Sequence, residues 1–160
     1  MKPLTHISLF SGLGASELAA ECSGFETILM CEIDKDCQKV LRKNFPGVPI
    51  IGDVRDVTRE SVIANTTGGQ SGQQAKQEGR EDISGRNSQR LTLLTAGVPC
   101  QPASSAGKRR GKADDRWLWP ETIRVLSELQ PTWAVFENPL GIGSLGEFGG
   151  LSEVGREAYQ

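Results

Sequence analysis

Histidine is nearly missing from this chain: His6 is the only one in 160 residues. The cysteines, Cys22, Cys31, Cys37 and Cys100, show no metal-like pairing in their spacing. Zinc sites draw on clusters of cysteine and histidine, so the sequence predicts no metal centre. Long apolar runs are missing too. None approaches the roughly 20 residues that span a bilayer, and no leader segment is recognised. These absences predict a reduced, cytoplasmic protein outside the membrane, with Cys100 available as a thiol. Charge of one sign is also lacking. The formal net charge is -2, so contact with nucleic acid would have to rest on a local patch. Hydrophobic content, at 37%, is below the usual share of a packed domain, and part of the chain is expected not to pack.

The deficit has a location. Across residues 66–90 only Ala75 and Ile83 are apolar, and the rest is mostly glycine, glutamine, serine and charge. Such a stretch cannot bury enough surface to offset its ordering entropy, which predicts a flexible insertion. A second glycine-rich stretch, 140–160, is expected to be poorly ordered. The remaining chain, 1–139, reads as one domain of alternating strands and helices.

Ile7-Ser8-Leu9-Phe10 predicts a buried strand running into the turn Ser11-Gly12-Leu13-Gly14. Ala15, Leu18, Ala19 and Cys22 then repeat at helical spacing and predict the core face of a helix that Gly24 stops. Thr27-Ile28-Leu29-Met30-Cys31 predicts a second strand ending at Glu32, twenty residues after Gly12. That arrangement suits a carboxylate that accepts hydrogen bonds from ribose hydroxyls. A dinucleotide site would carry a third glycine where Glu17 stands, so a nucleoside without a pyrophosphate fits better. An ordinary strand–helix corner remains the alternative.

Asp34 can cap a second helix in which Cys37, Val40 and Leu41 share a face. Cys22, Cys31 and Cys37 read as core or near-core residues. A third strand is expected over 49–54, with Asp53 placed to accept from a ligand amino group or to cap a turn. A brief helix is expected over 58–64. Leu91-Thr92-Leu93-Leu94-Thr95-Ala96 predicts a central strand, followed by Gly97-Val98-Pro99-Cys100-Gln101-Pro102. Two prolines hold Cys100 in a rigid loop, which is placement for chemistry, although a free cysteine is more often a small buried hydrophobe. Lys108, Arg109, Arg110 and Lys112 form the basic run. A helix presenting Trp119, Ile123, Leu126 and Leu129 ends at Pro131. Trp117 and Trp119 read as packing residues rather than base-stacking platforms. Trp133-Ala134-Val135-Phe136 predicts a fifth strand ending at Glu137-Asn138. In a parallel sheet, the Gly12–Gly14 turn, Glu32, Asp53, Cys100 and Glu137 would converge on one edge, where such sheets bind ligands.

In that order and spacing the sequence resembles the DNA (cytosine-5)-methyltransferases, particularly bacterial and phage members. Phe10-Ser11-Gly12-Leu13-Gly14 is similar to their first cofactor motif, Glu32 to the ribose-binding acid and Gly52-Asp53-Val54 to the adenine-binding turn. Gly97-Val98-Pro99-Cys100-Gln101-Pro102 resembles the catalytic loop, Asp115-Arg116 the next motif and Phe136-Glu137-Asn138 the glutamate motif. Pro139 departs from the usual valine, and Ala103 from a usually larger residue. The resemblance implies an α/β fold with a Rossmann-like, mostly parallel, three-layer sheet of the S-adenosylmethionine-dependent methyltransferase type, incomplete at its C-terminal side. It implies the cofactor S-adenosyl-L-methionine, held by Phe10, Gly12, Gly14, Glu32, Ile33, Asp53, Val54 and Pro99. Cys100 and Glu137 would be catalytic. Gln101, Ser104, Lys108, Arg109 and Arg110 would contact a cytosine-containing duplex with the target base flipped out. The later arginine motif, the target-recognition region and the last cofactor motif have no counterpart. This reading expects a truncated enzyme and names a separately encoded C-terminal fragment as a partner. The other readings are a remnant that binds cofactor or DNA only weakly, and a nicotinamide-dependent oxidoreductase.

Overall fold

The computed structural model describes residues 3–67, 91–99 and 118–137. Five strands, β1 (Leu4–Leu9), β2 (Phe25–Cys31), β3 (Ile50–Ile51), β4 (Leu93–Gly97) and β5 (Trp133–Glu137), form one sheet in the order β3-β2-β1-β4-β5. Every pairing is parallel, so all five carboxyl ends lie along one edge. Among the described residues four helices accompany them: α1 (Ala15–Cys22), α2 (Lys35–Asn44), α3 (Arg59–Thr67) and α4 (Trp119–Leu129). Strand order reverses between β1 and β4, which opens a crevice at their carboxyl ends.

Both faces of the sheet carry helices, giving the three-layer α/β arrangement expected from the sequence. Ile7, Leu9, Leu29, Cys31, Leu94 and Ala96 point to one face and pack with Val57, Val62, Trp119 and Val125. Trp119 meets Phe136 at a ring-centroid distance of 5.6 Å, so this tryptophan is a packing residue. The opposite face holds a smaller cluster of Met30, Leu41 and Phe45 under α2. Under α1, on this same face, β1 presents His6 and Ser8, both fully buried.

Asp34 caps α2 as expected, accepting from the amides of Asp36 and Cys37 at 2.8 and 2.9 Å. Gly24 follows α1 with φ +82°, a conformation that glycine adopts without steric cost. Three expected helix faces turn out differently; in α4 the buried residues are Trp119, Thr122 and Val125, while Ile123, Leu126 and Leu129 are half-buried. In α1 the stripe Ala15, Leu18, Ala19 and Cys22 faces outward, and Glu17 and Ala20 are the buried residues. In α2 the buried residues are Gln38 and Leu41, while Val40 is exposed and Cys37 half-buried. Cys22 is therefore a surface residue, and among the described cysteines only Cys31 is fully in the core. The short β3 gives way to a 3-10 turn, Val54–Asp56, and α3 extends through Thr67, into the stretch expected to begin the insertion. Residues 68–90 and 138–160 lie outside the described residues. Among the described residues no helix is long and apolar enough to cross a membrane.

Candidate functional site

The crevice is built first from the turn that leaves β1. Phe10, Gly12 and Gly14 all take left-handed backbone conformations, with φ of 57°, 55° and 97°. Phe10 is not a glycine, and a non-glycine residue held there is a strained position of the kind that collects at binding sites. Hydrogen bonds over-determine the turn. The Ser11 amide donates to the Cys31 carbonyl at 3.0 Å, and the Gly14 amide donates to the Ser11 carbonyl at 3.0 Å. Gly14 has a second reason to be glycine: an added Cβ would lie 2.5 Å from the Phe45 ring.

Glu32, at the end of β2, braces the same turn. Its Oε2 accepts from the Gly12 amide at 2.7 Å, and its Oε1 accepts from the Asp34 amide at 2.8 Å. Gln38 donates to the Glu32 carbonyl at 2.6 Å and fixes its backbone from α2. A carboxylate accepts about four hydrogen bonds, so each oxygen keeps room for a hydroxyl donor. Ile33 beside it is 68% exposed, and Leu13 in the turn is exposed as well. A largely buried acid with spare lone pairs, followed by the exposed Ile33 and bonded to the turn that carries the exposed Leu13, is chemistry that fits a nucleoside. Nearby Cys31 is chemically quiet: burial, then the charges of Glu32, Asp53 and Asp56, push its thiol up to about 12.

Asp53 does cap a turn. Its Oδ1 accepts from the Arg55 amide at 2.9 Å, and its Oδ2 pairs with the Arg55 guanidinium at 3.2 Å. Val54 is buried in the core beneath it. The turn is clamped from across the face by Arg124 of α4, whose guanidinium donates to the carbonyls of Val57, Val54 and Arg55. Glu121 and Glu128 hold that guanidinium at 2.8 Å each. Sequence reasoning missed Arg124, Gln38, Ser8 and the buried role of Glu17. A polar residue inside an otherwise apolar face was the only signal for Gln38; the spacing of Glu121, Arg124 and Glu128 signals ion pairs on one helix, but nothing local signals the clamp on backbone carbonyls about 70 residues away.

The second wall comes from β4 and β5. Gly97 pairs with Glu137, and a Cβ added at Gly97 would lie 3.9 Å from both Glu137 Oε2 and the Phe10 carbonyl. The Glu137 side chain thus stands at the crevice between the Phe10 turn and the chain leaving β4. That chain continues through Val98 and Pro99. Cys100, Gln101, Ser104, Lys108, Arg109 and Arg110 lie outside the described residues. Among the described residues Phe10, Gly12, Gly14, Glu32, Ile33, Asp53, Val54, Pro99 and Glu137 all follow the carboxyl ends of their strands or end one. No group of histidine, cysteine and acidic side chains is arranged to hold a metal ion among the described residues.

Comparison with known proteins bears on the same region. Residues 4–145 match the family model for C-5 cytosine-specific DNA methylases. The type II methyltransferase M.AquIA of Picosynechococcus sp. is 33% identical over 156 residues, covering 96% of this chain and 56% of its own length. M.NgoMIV of Neisseria gonorrhoeae is 32% identical over 139 residues, covering 86% of this chain and 36% of its own. Among solved structures, a protein described as a DNA modification methyltransferase encoded within an E. coli prophage superposes with a TM-score of 0.61 at 27% identity. That match covers 98% of this chain and 36% of the other. The Dnmt2 methyltransferase of S. pombe, 17% identical with a TM-score of 0.57, shares the fold. The chain spans about half, or less, of the length of these relatives. With its parallel sheet, its strained glycine turn and a family match over nearly all the described residues, the chain belongs to the C-5 cytosine-specific DNA methylase family.

Proposed function

We propose that this chain is the cofactor-binding and catalytic part of a DNA cytosine-5-methyltransferase, using S-adenosyl-L-methionine and a covalent cysteine adduct. The observation that carries the reading is the junction of β4 and β5. Glu137 stands beside Gly97, three residues before Cys100, and the Phe10 turn faces the same point. Glu32 and Ile33 would hold the ribose and adenine of the cofactor, with Gly12, Gly14, Phe10, Asp53, Val54 and Pro99 forming the rest of its cradle. Bound there, S-adenosylmethionine supplies an electrophilic methyl group on a sulfonium.

The chain's own residues do the remaining work. The Cys100 thiolate adds to carbon 6 of the flipped cytosine, and the electron pair released toward carbon 5 makes that carbon nucleophilic enough to take the methyl group. Glu137 shares a proton with ring nitrogen 3 and offsets the charge that develops in the ring. Loss of the carbon 5 proton to a base then expels the thiolate and restores the aromatic ring. Lys108, Arg109 and Arg110, with Gln101 and Ser104, would contact the duplex, giving salt-dependent affinity. The relatives carry further polypeptide beyond the matched part. We therefore include a polypeptide equivalent to that part as the partner for target recognition, as in a restriction–modification system.

The test is methyl transfer from labelled cofactor to a cytosine-containing duplex, by this chain alone and with the corresponding C-terminal part supplied. Duplex containing 5-fluorocytosine should trap a covalent complex through Cys100. Equal trapping by Cys100→Ser would remove Cys100 from the mechanism. No transfer in either mixture, with cofactor binding kept, would reduce the chain to a binding remnant. Tight nicotinamide binding in place of S-adenosylmethionine would overturn the cofactor assignment.

A further inference from the structure

Beneath α1 lies a carboxylate that the proposed chemistry does not use. Glu17 is 0% exposed, on the helix face where the spacing of apolar residues predicts none of the core. Burying a carboxylate is unfavourable unless it serves as an acceptor, and an apolar residue would pack a helix there at less cost. Its Oε2 accepts from the Ser16 hydroxyl at 3.0 Å, while its Oε1 has no partner among the described residues.

A line of hydroxyls runs from that carboxylate to the glycine turn. Ser16 Oγ lies 3.2 Å from Ser8 Oγ, and the Ser11 hydroxyl donates to Ser8 Oγ at 3.1 Å. Each hydroxyl has one proton to give. Ser16 gives its proton to Glu17, and Ser11 gives its proton to Ser8. The Ser8 proton therefore goes to Ser16. All three hydroxyls point the same way, toward the carboxylate, and each bond polarises the next. Ser11, at the head of the line, is the residue whose amide and carbonyl anchor the turn to Cys31 and Gly14.

We propose that Glu17 is a positioning residue for the cofactor turn, acting through Ser16 and Ser8 to lock Ser11 and so to hold the Gly12 and Gly14 amides in place. The role rests on the assignment of residues 10–14 to the cofactor. The Ser16 hydroxyl donates to Glu17 Oε2, and that acceptor at the end of the line fixes its direction. Glutamine at 17 can accept from Ser16 but can also present its amide group and reverse the line, and leucine ends it.

The test is a double-mutant cycle on the full chain, reading affinity for S-adenosylhomocysteine by calorimetry and amide exchange at Gly12 and Gly14 by NMR. Ser8→Ala and Glu17→Leu should each weaken binding about tenfold, Glu17→Gln about threefold, and the double variant no more than either single one, because both cuts sever one line. Exchange at Gly12 and Gly14 should rise about tenfold in each single variant, with the β1 and β2 core amides unchanged. Losses that add in the double variant, or unchanged exchange at the two glycines, would overturn the proposal. Should the parent chain bind no cofactor, the cofactor assignment falls while the exchange result still decides the role of Glu17. If Glu17→Leu does not fold, Ser16→Ala takes its place in the cycle with the same expected result.

Discussion

His6 sits in the middle of the sheet with both ring nitrogens engaged, Nδ1 2.9 Å from Thr27 Oγ1 on β2 and Nε2 2.9 Å from Thr95 Oγ1 on β4. The neutral ring donates from one nitrogen and accepts at the other, and each threonine hydroxyl can take either role, so both bonds are met in either tautomer and it is burial that disfavours the charged ring. Burial holds its pKa below the ordinary value of 6.5, and the nearby Glu17 carboxylate offsets part of that shift. The direction sets a pH dependence. A histidine with a depressed folded pKa binds fewer protons in the folded chain than in the unfolded one. Its contribution is fully present above 6.5 and is lost as pH falls through the lower folded value. Asp34, held low by the amides of Cys37 and then Asp36, is shifted below 3.8, away from the range in which the histidine acts. Urea denaturation of the parent chain should show falling stability from pH 7 to 5, and His6→Gln should flatten that slope even if its stability at pH 7 is lower. Equal slopes in the two proteins would take His6 out of the acid response.

The unit formed by β1, its turn and α1 shows how much local sequence settles and where it stops. Gly12 and Gly14 both have positive φ, yet they differ in surroundings. A Cβ at Gly12 meets nothing within 4 Å, whereas one at Gly14 meets Phe45 at 2.5 Å and Leu41 at 3.2 Å. Gly12→Ala should then cost only the backbone term, about 1 kcal/mol, and Gly14→Ala about 2 kcal/mol or more through overpacking as well. Urea midpoints with a common slope check the order, and a reversal would show that α2 yields readily. The strands, the glycine turn, the Asp34 cap and the shared sheet edge were legible because strand periodicity, glycine and capping chemistry are local signals. The phase of α1 was not. Spacing shows that Ala15, Leu18, Ala19 and Cys22 share a stripe but not which way it faces, and Ser8 is a buried hydroxyl that turns the polar side of the helix inward. Glu17 was visible as the residue replacing a third glycine. Its burial depends on Ser8 and Ser16, and no window of helical periodicity registers that. In α2 the same limit applies, because Gln38 is buried by a bond to the Glu32 carbonyl, a partner outside its own helix.

At the scale of the molecule, the site depends on both faces of the sheet being tied to one edge. Glu32 and the glycine turn are braced from the α1 and α2 side, whereas Asp53 and Val54 are held from the α4 side. Arg124 makes that second tie, donating at 2.9–3.3 Å to the carbonyls of Val57, Val54 and Arg55 while Glu121 and Glu128 hold it in place. Those ion pairs are about one-third exposed and contribute little by themselves; the bonds from a charged fork to backbone carbonyls contribute more. Arg124→Ala should therefore lower stability by about 2 kcal/mol. If Asp53 and Val54 line the cofactor site, it should also weaken S-adenosylhomocysteine binding about fivefold, because the 54–57 turn is freed while Glu32 and its partners stay in place. Arg124→Lys should recover part of the stability but little of the affinity, since one ammonium cannot span three carbonyls in the geometry of a planar fork. Chemical denaturation and calorimetry on the same samples separate the two effects. A loss of stability with unchanged affinity would confine Arg124 to holding the core and would take the 54–57 turn out of the cofactor site. An affinity loss restored by lysine would show that charge, rather than the shape of the fork, carries the tie.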